Sequence, residues 1–285
     1  MATRQPQTDP MRDAGVYSRR ALIDRGHTQA QVRSAVTKGD LIRLRRGWYA
    51  TRFADPSVAA AVARGGVLSC LSALRLHGVW VPEHDTNIHV RANSENRRLP
   101  GPFCSQHGGY EVEAGPVDDV AVALRHAVRC LDDEGLVVVC DSILNQHLMT
   151  LQELADTLSD APTSARRLLD KCDRRAQSGT ETMVRLRLRG RRIAVTPQVQ
   201  ISGVGWVDLL VGERLIVEVD GEEFHTGRAK FSEDRRRDRE AIRRGYVPVR
   251  FTYTDVVHRW GESEHVILEL VRTNRHRSPR HNPHG

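Results

Sequence analysis

Apolar positions along the chain follow three rhythms, and each marks a block. In the first block, residues 15–52, Ser18 precedes RRALID with Gly26 behind it, and Thr28 precedes QAQVRSAVTK with Gly39 behind it. Each run reads as a helix opened by a hydroxyl cap and closed by a glycine. On the second helix Val32, Ala35 and Val36 fall at i, i+3 and i+4 as the buried stripe, which leaves Gln29, Arg33, Ser34 and Thr37 outward. The following DLIRLRRGWYA predicts a strand over 41–44, a turn at Arg45, Arg46 and Gly47, and a returning strand from Trp48 and Tyr49. Two abutting helices followed by a basic hairpin make a winged helix-turn-helix.

The second block, residues 53–173, is mostly helical. Asp55-Pro56 reads as a cap and first turn, a strand is expected over 87–91, and helices over 118–130, 134–146, 151–158 and 164–171. RRAQSG at 174–179 reads as a hinge into the third block, 178–272, which alternates strands with one charged helix. Residues 1–14 and 273–285 have almost nothing apolar to bury, and both are expected to be disordered. The fold class is therefore mixed α/β (α+β).

Charge sharpens this division. The 285 residues carry 43 Lys+Arg against 36 Asp+Glu, a formal charge of +7. Residues 1–52 hold 11 basic residues and 4 acids, and residues 271–285 hold 4 arginines and no acid, so the remaining 218 residues sum to −4. A basic front block suits a polyanion, because clustered Lys and Arg displace counterions from phosphates. One helix fits the major groove, and arginines at a hairpin tip reach an adjacent backbone or minor groove. Gln29, Arg33, Arg45 and Arg46 are the candidate DNA-binding residues.

Other classes fall away. The apolar run over 136–140 is far short of the ~20 residues that span a bilayer. The N-terminal MATRQPQTDPMRDAG has neither an apolar core nor a small-residue cleavage site, so a cytoplasmic protein without membrane partners is expected. The five cysteines, Cys70, Cys104, Cys130, Cys140 and Cys172, are odd in number and contain no CxxC pair. That argues against a disulfide framework and against a structural zinc site, and points to reduced thiols acting as small buried hydrophobes.

Candidate chemistry lies in WVDLLVGERLIVEVDG, two apolar strands around Gly212-Glu213-Arg214. A three-residue loop pairs residues whose numbers sum to 426, so Asp208 opposes Glu218 and Trp206 opposes Asp220, on one face with Leu210 and Ile216. A two-residue loop would send Asp208 and Glu218 to opposite faces. Carboxylates on adjacent strands in apolar surroundings repel unless protonated or neutralised by a cation, and Mg²⁺ accepts hard oxygen ligands. The rival reading is a pair of carboxylates on a hairpin's wet face.

Two resemblances extend these readings. Through GVYSRRALIDRGHTQAQVRSAVTKGDLIRLRRGWYA, residues 15–50 resemble the N-terminal winged helix of the abortive-infection type IV antitoxin family, and the likeness continues through VLSCLSALRLHGVW at 67–80. It implies operator DNA as partner and autoregulation as role. Further along, SGTETMVRLRL, WVDLLV, IVEVDGEEFH and FSEDRRRDREAIRRGYVPVRFT resemble the PD-(D/E)XK nuclease superfamily, in a bacterial branch similar to very-short-patch-repair endonucleases, over residues 178–258. This implies a restriction-endonuclease-like mixed sheet with flanking helices, with Asp208 and Glu218 as ligands of Mg²⁺ or Mn²⁺. It also implies Glu181 as helper ligand or general base and His225 beside the scissile phosphate, and it aligns Asp234 and Arg237 with the branch's charged helix.

Each has a plainer rival. Ser178 and Glu181 also fit a capping box, His225 an ordinary surface histidine, and Asp234 with Arg237 an i,i+3 helix ion pair. One departure stands out: Asp220 occupies the superfamily's usual lysine position. Either Asp220 is a further catalytic ligand, with His225 or Lys230 supplying the missing function, or the site is degenerate. The expectation is a DNA-binding protein with a metal-dependent endonuclease domain. The alternative is a non-enzymatic transcriptional regulator or type IV antitoxin, for which a homodimer and a cognate toxin are the further partners.

Overall fold

A computed structural model describes residues 14–83, 87–93, 103–105, 109, 111–220 and 228–278, without the side chains of 228–234. The described residues form a mixed α/β fold with twelve α-helices and three sheets. Two compact units divide the chain, one of 1–136 with 148–170 and one of 137–147 with 171–285, so the stretch 53–173 contributes to both.

The first unit begins with β1 (Val16–Ser18), α1 (Arg19–Asp24), α2 (Gln29–Lys38), β2 (Leu41–Arg45) and β3 (Trp48–Thr51). Caps set the two helix starts. Ser18 Oγ accepts from Ala21 N at 3.1 Å, while Thr28 and Gln31 exchange side-chain bonds as a full capping box. Gly39 ends α2 with φ +79°, a left-handed conformation that costs other L-residues energy. Val32 is buried and Gln29, Arg33 and Thr37 are exposed, as the periodicity requires. The hairpin β2–β3 forms where expected. The sequence pattern did not predict β1, which adds to β3 to give the antiparallel order β1-β3-β2.

The rest of this unit contains α3 (Pro56–Ala63), β4 (Gly66–Leu68), α4 (Cys70–Leu76), β5 (Val90–Ala92), α5 (Val120–Ala127), the start of α6 (Asp133–Asn145), α7 (Leu151–Thr157) and α8 (Thr163–Arg167). Asp55 caps α3 by accepting from Ser57 N and Val58 N at 2.8 and 3.0 Å. Strands β4 and β5 pair antiparallel through Leu68 and Val90. They approach so closely at Gly66 that a Cβ there would collide with the Arg91 carbonyl. Arg91 is itself buried and makes a bidentate pair with buried Asp118, at 2.7 and 2.6 Å.

The second unit centres on the sheet β6 (Val195–Ile201), β7 (Gly205–Val211), β8 (Leu215–Asp220) and β9 (Val247–Thr252), in that order. The first three strands are antiparallel; β9 runs parallel to β8 and is reached through α10 (Arg228–Arg243). Ala241 of α10 packs with Ile216 of β8, beside Leu210. Around the sheet lie α9 (Gly179–Gly190), α11 (Tyr253–Val257) and α12 (Trp260–Arg272). Asp141 on α6 anchors α9. Its carboxylate accepts from Arg185 at 2.5 Å and Thr182 Oγ1 at 2.8 Å in the interior, and from the half-buried Asp173 N at 2.7 Å.

The expectation of disorder from residue 273 is corrected for 273–278. The β7–β8 turn leaves backbone donors that need acceptors, and His276 O takes Glu213 N and Arg214 N at 2.8 and 3.2 Å, while Ser278 N donates to Glu213 Oε2 at 2.9 Å. Residues 1–13 and 279–285 lie outside the described residues. Among the described residues no helix is long and apolar enough to cross a membrane.

Candidate functional site

Strand parity places the carboxylates. Leu209 pairs with Val217, Leu210 with Ile216 and Val211 with Leu215, the register of a three-residue turn at 212–214. Val207, Leu209, Val211, Leu215, Val217 and Val219 are buried on one face, so Asp208 and Glu218 share the other with Leu210 and Ile216. That face is only partly wet: Trp206 is 58% and the Asp220 side chain 45% exposed. Helix α10 packs over part of it, and the Glu218 side chain is only 12% exposed. Asp208 Oδ2 accepts from Val219 N at 2.9 Å, which locks its carboxylate against the neighbouring strand.

Glu181 comes to the same place from the first turn of α9. Ser178 Oγ caps the helix by accepting from Glu181 N at 3.1 Å, but the Glu181 carboxylate does not close the box back onto Ser178. It accepts instead from Gln177 N at 3.1 Å and from Gln198 Nε2 at 3.0 Å. Gln198 Nε2 also lies 3.4 Å from Asp208 Oδ1, so one amide bridges two acids. Sequence reasoning missed Gln198. Its signal is visible only in the fold: it stands opposite Asp208 in the β6–β7 pairing and has φ +51°, rare for a non-glycine residue inside a strand.

Two arginines that close on the site from other elements complete the electrostatics. Arg237 on α10 reaches Glu218 Oε1 at 3.4 Å and also donates to Val204 O and Trp206 O. Its guanidinium is thus turned to the carboxylate face, and the Asp234 side chain lies outside the described residues. Arg250 on β9 sits beside Glu218 in the parallel pairing, approaches Asp220 Oδ1 at 3.5 Å and binds Asp238 at 3.0 Å. Burial, with the Asp208 charge adding to it, pushes both Glu181 and Glu218 up to about 7. Burial also raises Asp208, against the pull of Val219 N–H. If Glu181, Asp208, Glu218, Asp220 and the Asp238 that shares Arg250 all ionise, two arginines leave three negative charges unbalanced. Hard carboxylate oxygens are the donor type that a divalent cation such as Mg²⁺ takes, one or two at a time beside water and phosphate, although no three of these acids bring their oxygens within 4.8 Å of one another. His225 lies outside the described residues, as does the side chain of Lys230.

The chain matches no protein-family model and no curated protein.

In the front block Gln29, Arg33 and Arg46 are exposed. Arg45 is not presented as the hairpin-tip reading expects: it is half-buried, donates to Gly66 O at 3.3 Å and lies over the Trp48 ring at 5.2 Å. Stacking on the indole and a carbonyl acceptor draw its guanidinium inward.

The reading of the cysteines as independent buried hydrophobes is also corrected. Cys140 and Cys172 hydrogen-bond to each other, and the donor atoms of Cys70, His89, Cys104 and Cys130 all fall within 4.8 Å of one another. Among the described residues no other group of three or more Cys, His, Asp or Glu meets that criterion, the carboxylates above included. The four thiol and imidazole ligands are 19, 15 and 26 residues apart in sequence, so no CxxC spacing announces them.

Proposed function

We propose that this is a cytoplasmic DNA-binding protein in which a winged helix, residues 15–52, docks the chain and a nuclease-like domain of restriction-endonuclease type hydrolyses phosphodiesters with Mg²⁺ or Mn²⁺. The observation that carries this reading is the convergence of Asp208, Glu218 and Glu181 on one semi-enclosed face of the β7–β8 hairpin. Asp208 and Glu218 would hold the cation, which supplies Lewis acidity toward a phosphoryl oxygen when bound. Glu181, held at about 7, exchanges a proton readily near neutral pH and would serve as general base. Arg237 and Arg250 bring fixed positive charge to the place where the superfamily's lysine would act, and Asp220 remains a further carboxylate at its edge. Incubation of the purified protein with supercoiled plasmid and Mg²⁺ or Mn²⁺ should give nicked product, and Asp208→Ala should lower the rate at least 100-fold. Equal nicking by both proteins would sink the proposal.

One observation favours the non-enzymatic regulator or antitoxin. The Arg237–Glu218 and Arg250–Asp220 pairs already neutralise part of the site internally, as a degenerate site that binds no cation would need. On that reading the protein binds its operator, without cleavage, as a homodimer or beside a cognate toxin. A nucleotidyltransferase-type toxin gene next to its own gene, together with no divalent-metal binding by titration, would select it.

A further inference from the structure

The four donors of the first unit come from four separate segments, and the backbone is built to bring them together. Cys70 opens α4 directly after β4, with φ +52°. A non-glycine residue holds such a conformation only where its surroundings over-determine it. His89 is fixed from both ends: its N–H donates to Ser72 Oγ at 3.0 Å and its carbonyl accepts from Ser69 N at 3.1 Å, so its ring is set against the β4–α4 junction that carries Cys70. Cys104 N donates to Val90 O at 2.8 Å, which lays that segment beside β5. Cys130 closes the turn after α5 through its bond to Ala127 O at 2.9 Å.

The dimensions suit a metal. Zinc bonds of about 2.3 Å to sulfur and 2.0–2.1 Å to nitrogen in tetrahedral geometry put donor atoms ~3.6–3.8 Å apart. Here His89 Nδ1 lies 3.2 Å from Cys104 Sγ, and the whole set falls within 4.8 Å. Three thiolates and an imidazole are soft to borderline donors, which favour Zn²⁺ and disfavour Mg²⁺. Four protein ligands leave no open position, the mark of a structural rather than a catalytic site. Cys70 is fully buried while Cys130 is exposed, so an ion can enter from the Cys130 side. The fold has a use for such a tie: β4 and β5 are only three residues each, and Cys70, His89 and Cys104 stand on the segments that flank or line them.

We propose that Cys70, His89, Cys104 and Cys130 form a tetrahedral Cys₃His zinc site that clasps β4, β5, α4 and the end of α5. Binding converts three thiols to thiolates and releases their protons, with neutral imidazole as the fourth ligand. The site is independent of the carboxylate hairpin and survives or falls separately from it.

Full-length protein purified under reducing conditions from zinc-replete cells should contain about one zinc per chain by elemental mass spectrometry. Cys104→Ser and Cys130→Ala should lose nearly all of it, and Cys172→Ser should keep it. Reduced, metal-stripped wild type titrated with Co²⁺ should develop the intense visible absorption of a tetrahedral thiolate site, a readout that needs no variant to fold. Wild type that neither carries zinc nor gives that absorption would overturn the proposal. So would full metal retention by Cys104→Ser, or a disulfide among Cys70, Cys104 and Cys130 in the protein as purified.

Discussion

Gln198 holds a left-handed backbone in mid-strand and lends one amide to two acids. The conformation costs an L-residue about 1–2 kcal/mol, and the amide is what the cost secures. Gln198→Gly and Gln198→Ala remove the amide equally, but only glycine relieves the backbone. Urea denaturation should therefore find Gln198→Gly more stable than Gln198→Ala by ~1 kcal/mol, with activity reduced in both. The carboxylates make a second residue-scale prediction. Glu181 and Glu218 hold protons up to about 7 when folded, against an ordinary 4.5, so the native state binds more protons between those values. The associated stability is complete below pH 4.5 and disappears as pH rises through 7, on the order of 3 kcal/mol for each group. In metal-free buffer the urea midpoint should fall between pH 5.5 and 8, and Glu181→Gln should flatten that fall. A midpoint that rises over this interval in wild type and variant alike would refute the assignment.

Elements were legible where local chemistry decides them. Ser18, Thr28 and Asp55 announce their helices because a cap needs only its own next three residues. Asp208 and Glu218 were placed on one face because alternation and a three-residue turn fix a hairpin register. Illegible features depended on partners distant in sequence. Strand β1 exists because β3 has a free edge, Arg250 reaches the site because β9 pairs parallel to β8, and the cysteine–histidine group assembles from four segments. Arg45 was misplaced because nothing local shows that Gly66 O lies within its reach. The joint between α6 and α9 belongs to the same class and can be tested. Asp141 and Arg185 are 1% and 0% exposed, and burial keeps the Asp141 carboxyl above its ordinary range even beside that arginine. Arg185→Leu leaves a buried, partly unpaired acid and should cost ~3–5 kcal/mol by thermal or urea unfolding. The double variant Asp141→Leu/Arg185→Leu should recover part of that loss, which distinguishes a stranded charge from lost packing volume.

Across the whole molecule, the charge that sums to a modest +7 is unevenly held: the basic front block and the arginines of 271–285 contrast with a −4 remainder that contains the carboxylate hairpin. If the front block grips DNA, affinity should fall steeply with salt. Arg33→Ala and Arg46→Ala, both at exposed positions, should each flatten the slope of log K against log salt by about 1 in gel-shift titrations. Arg45→Ala should act differently, by loosening the hairpin from Gly66 rather than by losing a phosphate contact, so its effect should appear in stability before salt slope. Unchanged slopes for Arg33→Ala and Arg46→Ala would move the DNA contact elsewhere. The sequence placed the change of block at 174–179, yet the chain passes between its two units at 136/137, 147/148 and 170/171. Genes that recombine at 174–179, as a string of simple modules would allow, would bring Arg185 into a new protein without Asp141. Any ancestor or chimaera that exchanged this C-terminal unit must have carried residues 137–147 along or found another counter-ion, and that leaves a joint in the gene where the sequence shows no seam.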